Sequence, residues 1–221
     1  MIDFAVQRTK MIDSQVRTED VTDREVIAAM GAVARERFVP ARLADLAYID
    51  QDLPIAGAGA GDRFLLKPAT LARLLQAADV ESSDRVLDVG CGTGYAAAVL
   101  AGLAAEVVAL EQEATLAAEA RKQLAGLANV QVVEGPLEAG HKAGAPYDLI
   151  LVEGAVEVVP PALLEQLAEG GKLVTVVGYG RAAAATVYTR ADGDVGDRPV
   201  FDAAAPALPG FRKPKAFVFP L

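Results

Sequence analysis

Three residue types are scarce in this sequence: it has one cysteine, one histidine and no tryptophan. A single cysteine, Cys91, cannot form an internal disulfide, and this favours a reducing, cytoplasmic location. One cysteine and one histidine are too few ligands for an ordinary zinc site, so we expect no metal. The histidine, His141, is flanked by Gly and Ala and is predicted to be a surface residue rather than a catalyst.

Long hydrophobic runs and positive charge are also lacking. No apolar run approaches the roughly 18 residues that span a membrane, and the first ten residues have no signal-peptide core. Lys and Arg number 21 against 30 Asp and Glu, which gives a net charge of −9. Because an acidic chain without a basic cluster binds nucleic acids and anionic membranes poorly, we expect neither partner.

The 221 residues, 52% of them apolar, predict one compact unit with two regions, 1–80 and 81–221. Helices and loops are predicted up to about residue 80, with Thr22 and Glu25 as a capping box and Pro68 as a helix start. From residue 84, strands alternate with helices. The predicted strands are 85–90, 106–111, 130–135, 147–154 and 172–178, and the predicted helices are 95–103, 112–127 and 160–171.

This alternation predicts an α/β fold with a Rossmann-like, doubly wound, mostly parallel sheet preceded by an N-terminal helical region. Two further strand-like segments, 182–190 and 213–220, are joined without a helix. They predict an antiparallel pair at the edge of the sheet. The segment between them is rich in Gly, Pro and Asp and is predicted as a loop.

The stretch "VLDVGCGTGY" (86–95) has the strongest functional signal. Its glycines, Gly90, Gly92 and Gly94, follow a predicted strand and precede a helix, which is where open α/β sheets bind ligands. Their spacing is G-x-G-x-G, whereas the dinucleotide fingerprint is G-x-G-x-x-G. An acid, Asp88, precedes the first glycine and would attract a cationic ligand but repel a phosphate.

A second acid supports this interpretation. Glu111 closes the next predicted strand, 21 residues after Gly90, and can accept hydrogen bonds from ribose hydroxyls. S-adenosylmethionine carries a sulfonium, an ammonium and a ribose, so we expect it as the cofactor. The alternative is that Asp88 caps a helix and Glu111 is a solvated strand end. Cys91 is expected to be a small residue beside the cofactor, with its thiol pKa raised by the nearby acids.

Three long stretches resemble one enzyme family, the protein-L-isoaspartate O-methyltransferases, within the Rossmann-like S-adenosylmethionine-dependent methyltransferases. They are "MIDSQVRTEDVTDREVIAAMGAVARERFVPARLADLAYIDQDLPI" (11–55), "VLDVGCGTGYAAAVLAGL" (86–103) and "YDLILVEGAVEVVPPALLEQLAEGGKLVTVVG" (147–178). The resemblance covers most of residues 11–180. Because it begins at Met11, the native start, Met1 or Met11, stays open.

The resemblance implies the methylation of isoaspartyl carboxylates in damaged proteins, with a protein or peptide as substrate. The methyl ester then collapses to a succinimide, which can reopen as aspartate. The resemblance also implies cofactor roles for Asp88, Gly90, Gly92, Gly94 and Glu111, and it places Gly135, Pro136 and Leu137 beside the adenine. Further candidate cofactor-binding residues are Cys91, Tyr95, Gln112 and Glu153.

The stretch "IAGAGAGDRFLLKP" (55–68) departs from the family. There the family has a Gly-Gln-Thr-Ile-Ser-Gln-Pro substrate loop. Aligned on the final proline, Leu66 replaces the family's serine and Phe64 its threonine, so no catalytic residue is predicted. The loop is expected to contact substrate, and its Phe64-Leu65-Leu66 run either packs in the core or makes a more apolar pocket. Arg63 and Lys67 either hold a substrate carboxylate or are solvated charges.

Two further departures concern the cofactor. Gly135-Pro136-Leu137 stands where the family has Gly-Asp-Gly, so adenine loses an acidic partner, and Pro136 has no N–H. Glu134 or Glu138 could substitute for the missing acid. On the fourth predicted strand, Glu153 is either a site acid facing the sulfonium or a cap for the following turn.

Three functions follow from these patterns. The first is carboxyl methylation of isoaspartyl residues. The second is methylation, on the same fold, of a less polar acid or another small molecule, for which the apolar run at 64–66 argues. The third is S-adenosylmethionine binding without catalysis, for which the lost hydroxyls argue.

Overall fold

The computed structural model describes residues 2–55 and 63–212. Residues 56–62, with the glycines of the 55–68 stretch, and the predicted strand 213–220 lie outside the described residues. A seven-stranded sheet organises the described part, in the order β5-β4-β3-β6-β7-β8-β9. No helix in the described ranges is long and apolar enough to cross a membrane.

The strands in these ranges are β1 (Leu53–Pro54), β2 (Phe64–Leu65), β3 (Arg85–Val89), β4 (Glu106–Glu111), β5 (Val130–Glu134), β6 (Tyr147–Val156), β7 (Leu167–Val177), β8 (Ala184–Ala191) and β9 (Asp194–Asp202). The α-helices are α1 (Phe4–Met11), α2 (Arg24–Ala32), α3 (Pro68–Ala78), α4 (Tyr95–Leu100), α5 (Ala114–Leu124) and α6 (Pro161–Leu164). Strands β1 and β2 form a separate antiparallel pair.

The N-terminal region is helical, as predicted, but the capping box is wrong. The cap of α2 is Asp23, whose carboxylate accepts hydrogen bonds from the amides of Glu25 and Val26. Asp and Thr are both good capping residues, and here the aspartate one position after Thr22 takes the role. Helix α3 begins at Pro68, as predicted.

The parallel α/β sheet is confirmed, because β3 pairs in parallel with β4 and β6, and these pair in parallel with β5 and β7. The predicted helix 160–171 is wrong beyond its first turn. Helix α6 ends at Leu164, and Leu167 already pairs with Tyr147 in the sheet. Backbone pairing to a central strand therefore outweighs the helical pattern of this segment.

The antiparallel edge is confirmed, but its partner strand differs from the prediction. Strand β8 pairs antiparallel with β7, and β9 pairs antiparallel with β8. The loop prediction for 194–202 is therefore wrong. Asp192 and Gly193 both have positive φ, +55° and +83°, which is the backbone of a tight hairpin turn. An Asp-Gly pair between strand-like segments was the signal for it.

The two faces of the sheet carry two hydrophobic clusters, since successive side chains of a strand point to opposite faces. One cluster joins α1, α3 and α4 to the face that includes Val86 and Leu149. The other joins α6 and the C-terminal residues Leu208 and Phe211 to the opposite face. Because regions 1–80 and 81–221 share the first cluster, both contribute to one core. Their boundary stays a prediction.

Candidate cofactor site

The glycine turn lies at the carboxyl end of β3. Gly90, Gly92 and Gly94 have φ values of +81°, +56° and +96°, which side-chain-bearing residues rarely adopt. The amides of Gly90 and Cys91 both donate to the carbonyl of Leu110 on β4. The turn is thus fixed at the carboxyl end of the central parallel strands, where ligands of this fold class bind.

Three acidic side chains lie toward this carboxyl end of the sheet, on three adjacent strands. Asp88 lies on β3, Glu111 at the end of β4 and Glu153 within β6, and their exposed fractions are 0%, 0% and 5%. Glu153 is inside its strand, so its alternative role as a turn cap is wrong. The solvated interpretation of Glu111 is also wrong, because its side chain is fully buried.

Asp88 and Glu153 form a buried carboxyl pair. Burial and the adjacent carboxylate raise the pKa of Glu153 well above its usual range. Burial also raises the pKa of Asp88 to about 7. Within residues 2–55 and 63–212, no N–H or hydroxyl group donates a hydrogen bond in standard geometry to either oxygen of Asp88 or to Glu153 Oε1. Buried carboxyl oxygens without donors suit a cationic ligand.

Glu111 is paired with Arg63. The guanidinium Nη1 donates to Glu111 Oε1 at 2.6 Å and Nη2 donates to Oε2 at 2.8 Å, while Nη2 also donates to the carbonyl of Gly90 at 2.9 Å. Arg63 is 3% exposed. The prediction of a solvated loop charge is therefore wrong, and the carboxylate that Arg63 holds belongs to the protein itself.

Two further residues of the predicted substrate loop, Leu65 and Leu66, lie in the core. Leu65 and Leu66 are 2% and 1% exposed and belong to the first hydrophobic cluster. The half-exposed ammonium of Lys67 lies 3.9 Å from the carboxylate of Asp50. A side chain at position 66 therefore points into the core rather than toward a ligand.

Phe64 differs from its neighbours because it lines a cavity. The cavity has a volume of about 550 Å³, and its walls are Phe64, Pro206, Ala207, Leu208, Pro209 and Arg212. Apolar side chains dominate these walls, and Arg212 adds one cation. The run at 64–66 thus contributes both to the core and to an apolar pocket.

The segment proposed for adenine lies beside Glu111. Gly135 donates its amide to the carbonyl of Glu111 at 3.0 Å, and Gln112 donates its amide to Glu111 Oε1 at 2.9 Å. Pro136 is exposed, whereas Leu137 is fully buried in the second hydrophobic cluster. Apolar packing on adenine from this segment would therefore come from Pro136.

The two acids proposed as substitutes near adenine lie at the surface. Glu134 is exposed, and its carboxylate lies 3.7 Å from Arg121. Glu138 is also exposed. His141 lies near the amino end of β6, where its carbonyl accepts a hydrogen bond from the Tyr147 hydroxyl. That end is opposite to the glycine turn, in agreement with the prediction that His141 is not a site residue.

Cys91 and Tyr95 are buried at the turn. Burial, reinforced by Asp88 and Glu111, raises the pKa of the Cys91 thiol well above its usual value, which confirms the predicted direction. The ring of Tyr95 packs edge-on against Phe38, with centroids 5.6 Å apart. The side chain of Tyr95 therefore faces the N-terminal region, although its backbone belongs to the glycine turn.

Arg35 is a residue that the sequence analysis did not single out. It is fully buried, donates from Nε to the carbonyl of Ala47 at 2.7 Å and from Nη2 to the carbonyl of Leu66 at 2.8 Å. Its guanidinium also lies 4.7 Å from the ring centroid of Tyr95. The "RERFVP" stretch (35–40) therefore fixes the predicted substrate loop against the glycine turn.

The same stretch forms one wall of a second cavity beside the turn. This cavity has a volume of about 380 Å³, and its lining includes Phe38, Val39, Ile55, Thr93 and Leu116. Thr93 ties the two sides together, because its hydroxyl donates to the carbonyl of Phe38 at 2.6 Å. The "RERFVP" stretch and the glycine turn thus line the same cavity.

The C-terminal segment 206–208 also covers the turn, which the sequence did not predict. Ala155 donates its amide to the carbonyl of Pro206, and Leu208 donates its amide to the carbonyl of Ala155. A Cβ at Gly90 would lie 3.1 Å from the Leu208 side chain. The segment lacks both helical and strand periodicity, so no pattern indicated its position.

Comparison with known proteins identifies the family. The family model described as protein-L-isoaspartate(D-aspartate) O-methyltransferase matches residues 6–202. The chain belongs to this family. A protein-L-isoaspartate O-methyltransferase from Koribacter versatilis is 45% identical over 177 residues, which cover 79% of this chain and 78% of the relative. One from Methanoregula boonei is 41% identical over 189 residues, 85% of each chain.

Two solved structures share the fold of this family member. One protein-L-isoaspartate O-methyltransferase superposes with a TM-score of 0.80 at 24% identity, over 92% of this chain and 66% of its own. A Plasmodium falciparum protein assigned to the same enzyme class superposes with a TM-score of 0.77 at 20% identity, over 91% of this chain and 97% of its own. That protein was solved in complex with S-adenosyl-L-homocysteine.

The buried carboxyl groups and the glycine turn of the site fit S-adenosylmethionine, on which this family depends. Both oxygens of Asp88 and Oε1 of Glu153 have no hydrogen-bond donor in the described part of the chain, and they suit a sulfonium or an ammonium. The positive-φ glycines let a ligand approach the backbone. In this conformation, however, Ile55 packs against Gly92, Leu208 against Gly90, and Arg63 on Glu111. Cofactor binding therefore requires side chains at the turn to move.

Proposed function

We propose that this protein transfers a methyl group from S-adenosylmethionine to the free carboxylate of isoaspartyl residues in damaged proteins. The observation that carries the proposal is the family match over residues 6–202. Relatives more than 40% identical over about four fifths of the chain support it. The acid cluster and the glycine turn support the choice of cofactor.

The residues of the site have distinct proposed roles. Asp88 and Glu153 would attract the charged groups of the cofactor, and Glu111 would accept hydrogen bonds from its ribose. When bound, the cofactor supplies a methyl group activated by a sulfonium. A substrate carboxylate is already ionised at pH 7, so the protein needs no general base. It aligns the reactants and excludes water, as the buried walls of the site allow.

This mechanism does not need the family's loop hydroxyls. Leu66 and Phe64 replace them, and Leu66 is buried. Binding of the substrate carboxylate would then depend on backbone N–H groups and cations near the site, with no side chain in the role of acid or base. We propose a protein or peptide substrate and a cytoplasmic location, and the net charge of −9 disfavours nucleic acid.

A second candidate function is methylation of a less polar acid. The cavity lined by Phe64, Pro206, Leu208 and Pro209 favours it, because an apolar wall pairs poorly with a peptide backbone but well with a hydrocarbon body. Arg212 on the same cavity could then hold a carboxylate.

The test is transfer of labelled methyl from S-adenosylmethionine to an isoaspartyl peptide, with the matched aspartyl peptide as blank and a panel of aromatic and aliphatic carboxylic acids beside it. Selective labelling of the isoaspartyl peptide supports the first function. Labelling of apolar acids alone supports the second. Cofactor binding, measured by calorimetry, without transfer to any acceptor would leave only a non-catalytic, cofactor-binding role. The Asp88→Ala variant controls for cofactor-independent labelling.

A further inference from the structure

The acceptor capacity of Glu111 is already filled by the protein. A carboxylate offers about four lone-pair sites. Oε1 accepts from Arg63 Nη1 and from the amides of Gln112 and Glu113, and Oε2 accepts from Arg63 Nη2 and the amide of Gly92. Ribose hydroxyls would therefore find no free acceptor on this side chain while Arg63 stays in place.

The departure of Arg63 would remove one donor from each oxygen, leaving the amides of Gln112 and Glu113 on Oε1 and that of Gly92 on Oε2. The remaining donors to Glu111 are backbone amides of the glycine turn and of the segment after β4, and these amides are fixed by the fold. Two adjacent ribose hydroxyls need the same arrangement, one acceptor on each oxygen of one carboxylate. The guanidinium thus occupies the two positions that the ribose would use.

Charge leads to the same conclusion. Arg63 is the cation that acts on the buried acids, and its charge lowers the pKa of Asp88 and of Glu153 against the effect of burial. The sulfonium, ammonium and carboxylate of S-adenosylmethionine sum to +1. Its entry with the departure of one guanidinium leaves the charge of the cluster unchanged, so the exchange creates no uncompensated buried charge.

We propose that Arg63 is an internal competitor of the cofactor: it holds the ribose-binding carboxylate of Glu111, and cofactor binding must displace it. The inference rests on the proposed cofactor and is independent of the methyl acceptor. Arg63 then raises the dissociation constant for any ligand that carries the ribose hydroxyls. Its return to Glu111 after methyl transfer favours release of the product.

The experiment measures binding of S-adenosylhomocysteine and of adenosine to the full chain by isothermal titration calorimetry. Arg63→Gln removes the positive charge and the paired hydrogen bonds to the two oxygens of Glu111. We expect it to lower both dissociation constants at least tenfold. Adenosine carries the ribose without the methionine, so its response locates the effect at Glu111. Arg63→Lys keeps a charge but cannot make the paired contact. It should give an intermediate value, and it guards against a folding defect in the first variant.

The chain offers a matched control. Arg85 pairs with Glu106 through Nε at 3.0 Å and Nη2 at 2.9 Å, at the amino ends of β3 and β4. Arg85→Gln removes an Arg–Glu pair at the opposite end of β4, away from the turn, and should leave both dissociation constants unchanged.

The outcomes separate the inference from the proposed function. Tighter binding in Arg63→Gln, with no change in Arg85→Gln, supports the competition. Unchanged or weaker binding in both Arg63 variants would overturn it, because Arg63 would then be neutral or would support the ligand, while the proposed cofactor stands. Failure of the wild type and of every variant to bind either ligand would overturn the inference together with the proposed cofactor.

Discussion

At the scale of single residues, the candidate site was only partly accessible from the sequence. Asp88 and Glu111 were predicted because Asp88 lies two residues before the first glycine of the turn and Glu111 closes the next strand. The partner of Glu111 was not, since Arg63 lies 48 positions earlier and reaches it only through the tertiary fold. Glu153 was left with two roles because a strand interior and a strand end look alike in one sequence.

The carboxyl pair of Asp88 and Glu153 predicts how stability changes with pH. The pKa of each group is higher in the folded chain than in the unfolded chain, to about 7 for Asp88, so the folded protein binds more protons between about pH 4 and pH 7. Stability therefore falls as pH rises through this interval. Glu153→Gln should reduce the fall between pH 5 and pH 7 by about 1–2 kcal/mol.

Urea unfolding at pH 5, 6 and 7 measures this difference. Glu165→Gln, at an exposed position, is the control and should follow the wild type. Equal pH dependence in the wild type and in Glu153→Gln would show that the two carboxyls do not share a proton in the folded state.

At the scale of elements, the central strands were predictable and the C-terminal third was less so. Apolar runs such as 147–154 have one stable placement in a parallel sheet. Helix α6 and the hairpin of β8 and β9 depend on pairing with strands far along the chain or on a turn. The local sequence pattern could not decide between strand and helix for the segment after α6, or between strand and loop for β9. The segment 206–208 is held by β6 and has no pattern of its own.

Leu208 tests whether this segment is part of the fold. Its side chain is 3% exposed and packs over Gly90. Leu208→Ala should lower the free energy of unfolding by about 2–4 kcal/mol, because buried leucine truncation loses transfer energy and leaves a cavity. Leu46→Ala, at a side chain that is 45% exposed, should cost under about 0.5 kcal/mol. Chemical denaturation compares them, and equal midpoints would mean that the segment does not stabilise the core.

At the scale of the whole molecule, the N-terminal region and the sheet pack into one hydrophobic core beside the glycine turn. Arg35 and Thr93 connect them through hydrogen bonds to Leu66 and Phe38. A ligand at the turn contacts elements from both regions and should stabilise the chain as a unit. The sequence predicted both regions, but their contacts required the three-dimensional arrangement.

Ligand binding should therefore raise the melting temperature. At a concentration about one hundred times its dissociation constant, a ligand that binds only the folded state adds about 2.7 kcal/mol. For a chain of this size, 1 kcal/mol shifts the melting temperature by about 2–4 °C, so S-adenosylhomocysteine should shift it by about 5–11 °C. Differential scanning fluorimetry measures the shift. Glu111→Ala at the same ligand concentration should show little shift, and an equal shift would place the ligand elsewhere.

The burial of Leu66 also bears on where this protein could be engineered. Its side chain is 1% exposed and its carbonyl accepts a hydrogen bond from Arg35. Leu66→Ser would remove core packing and bury a hydroxyl without an assured partner, at a cost of about 1–3 kcal/mol for the hydroxyl alone. Redesign of acceptor specificity is therefore better directed at the cavity that Phe64 lines than at position 66.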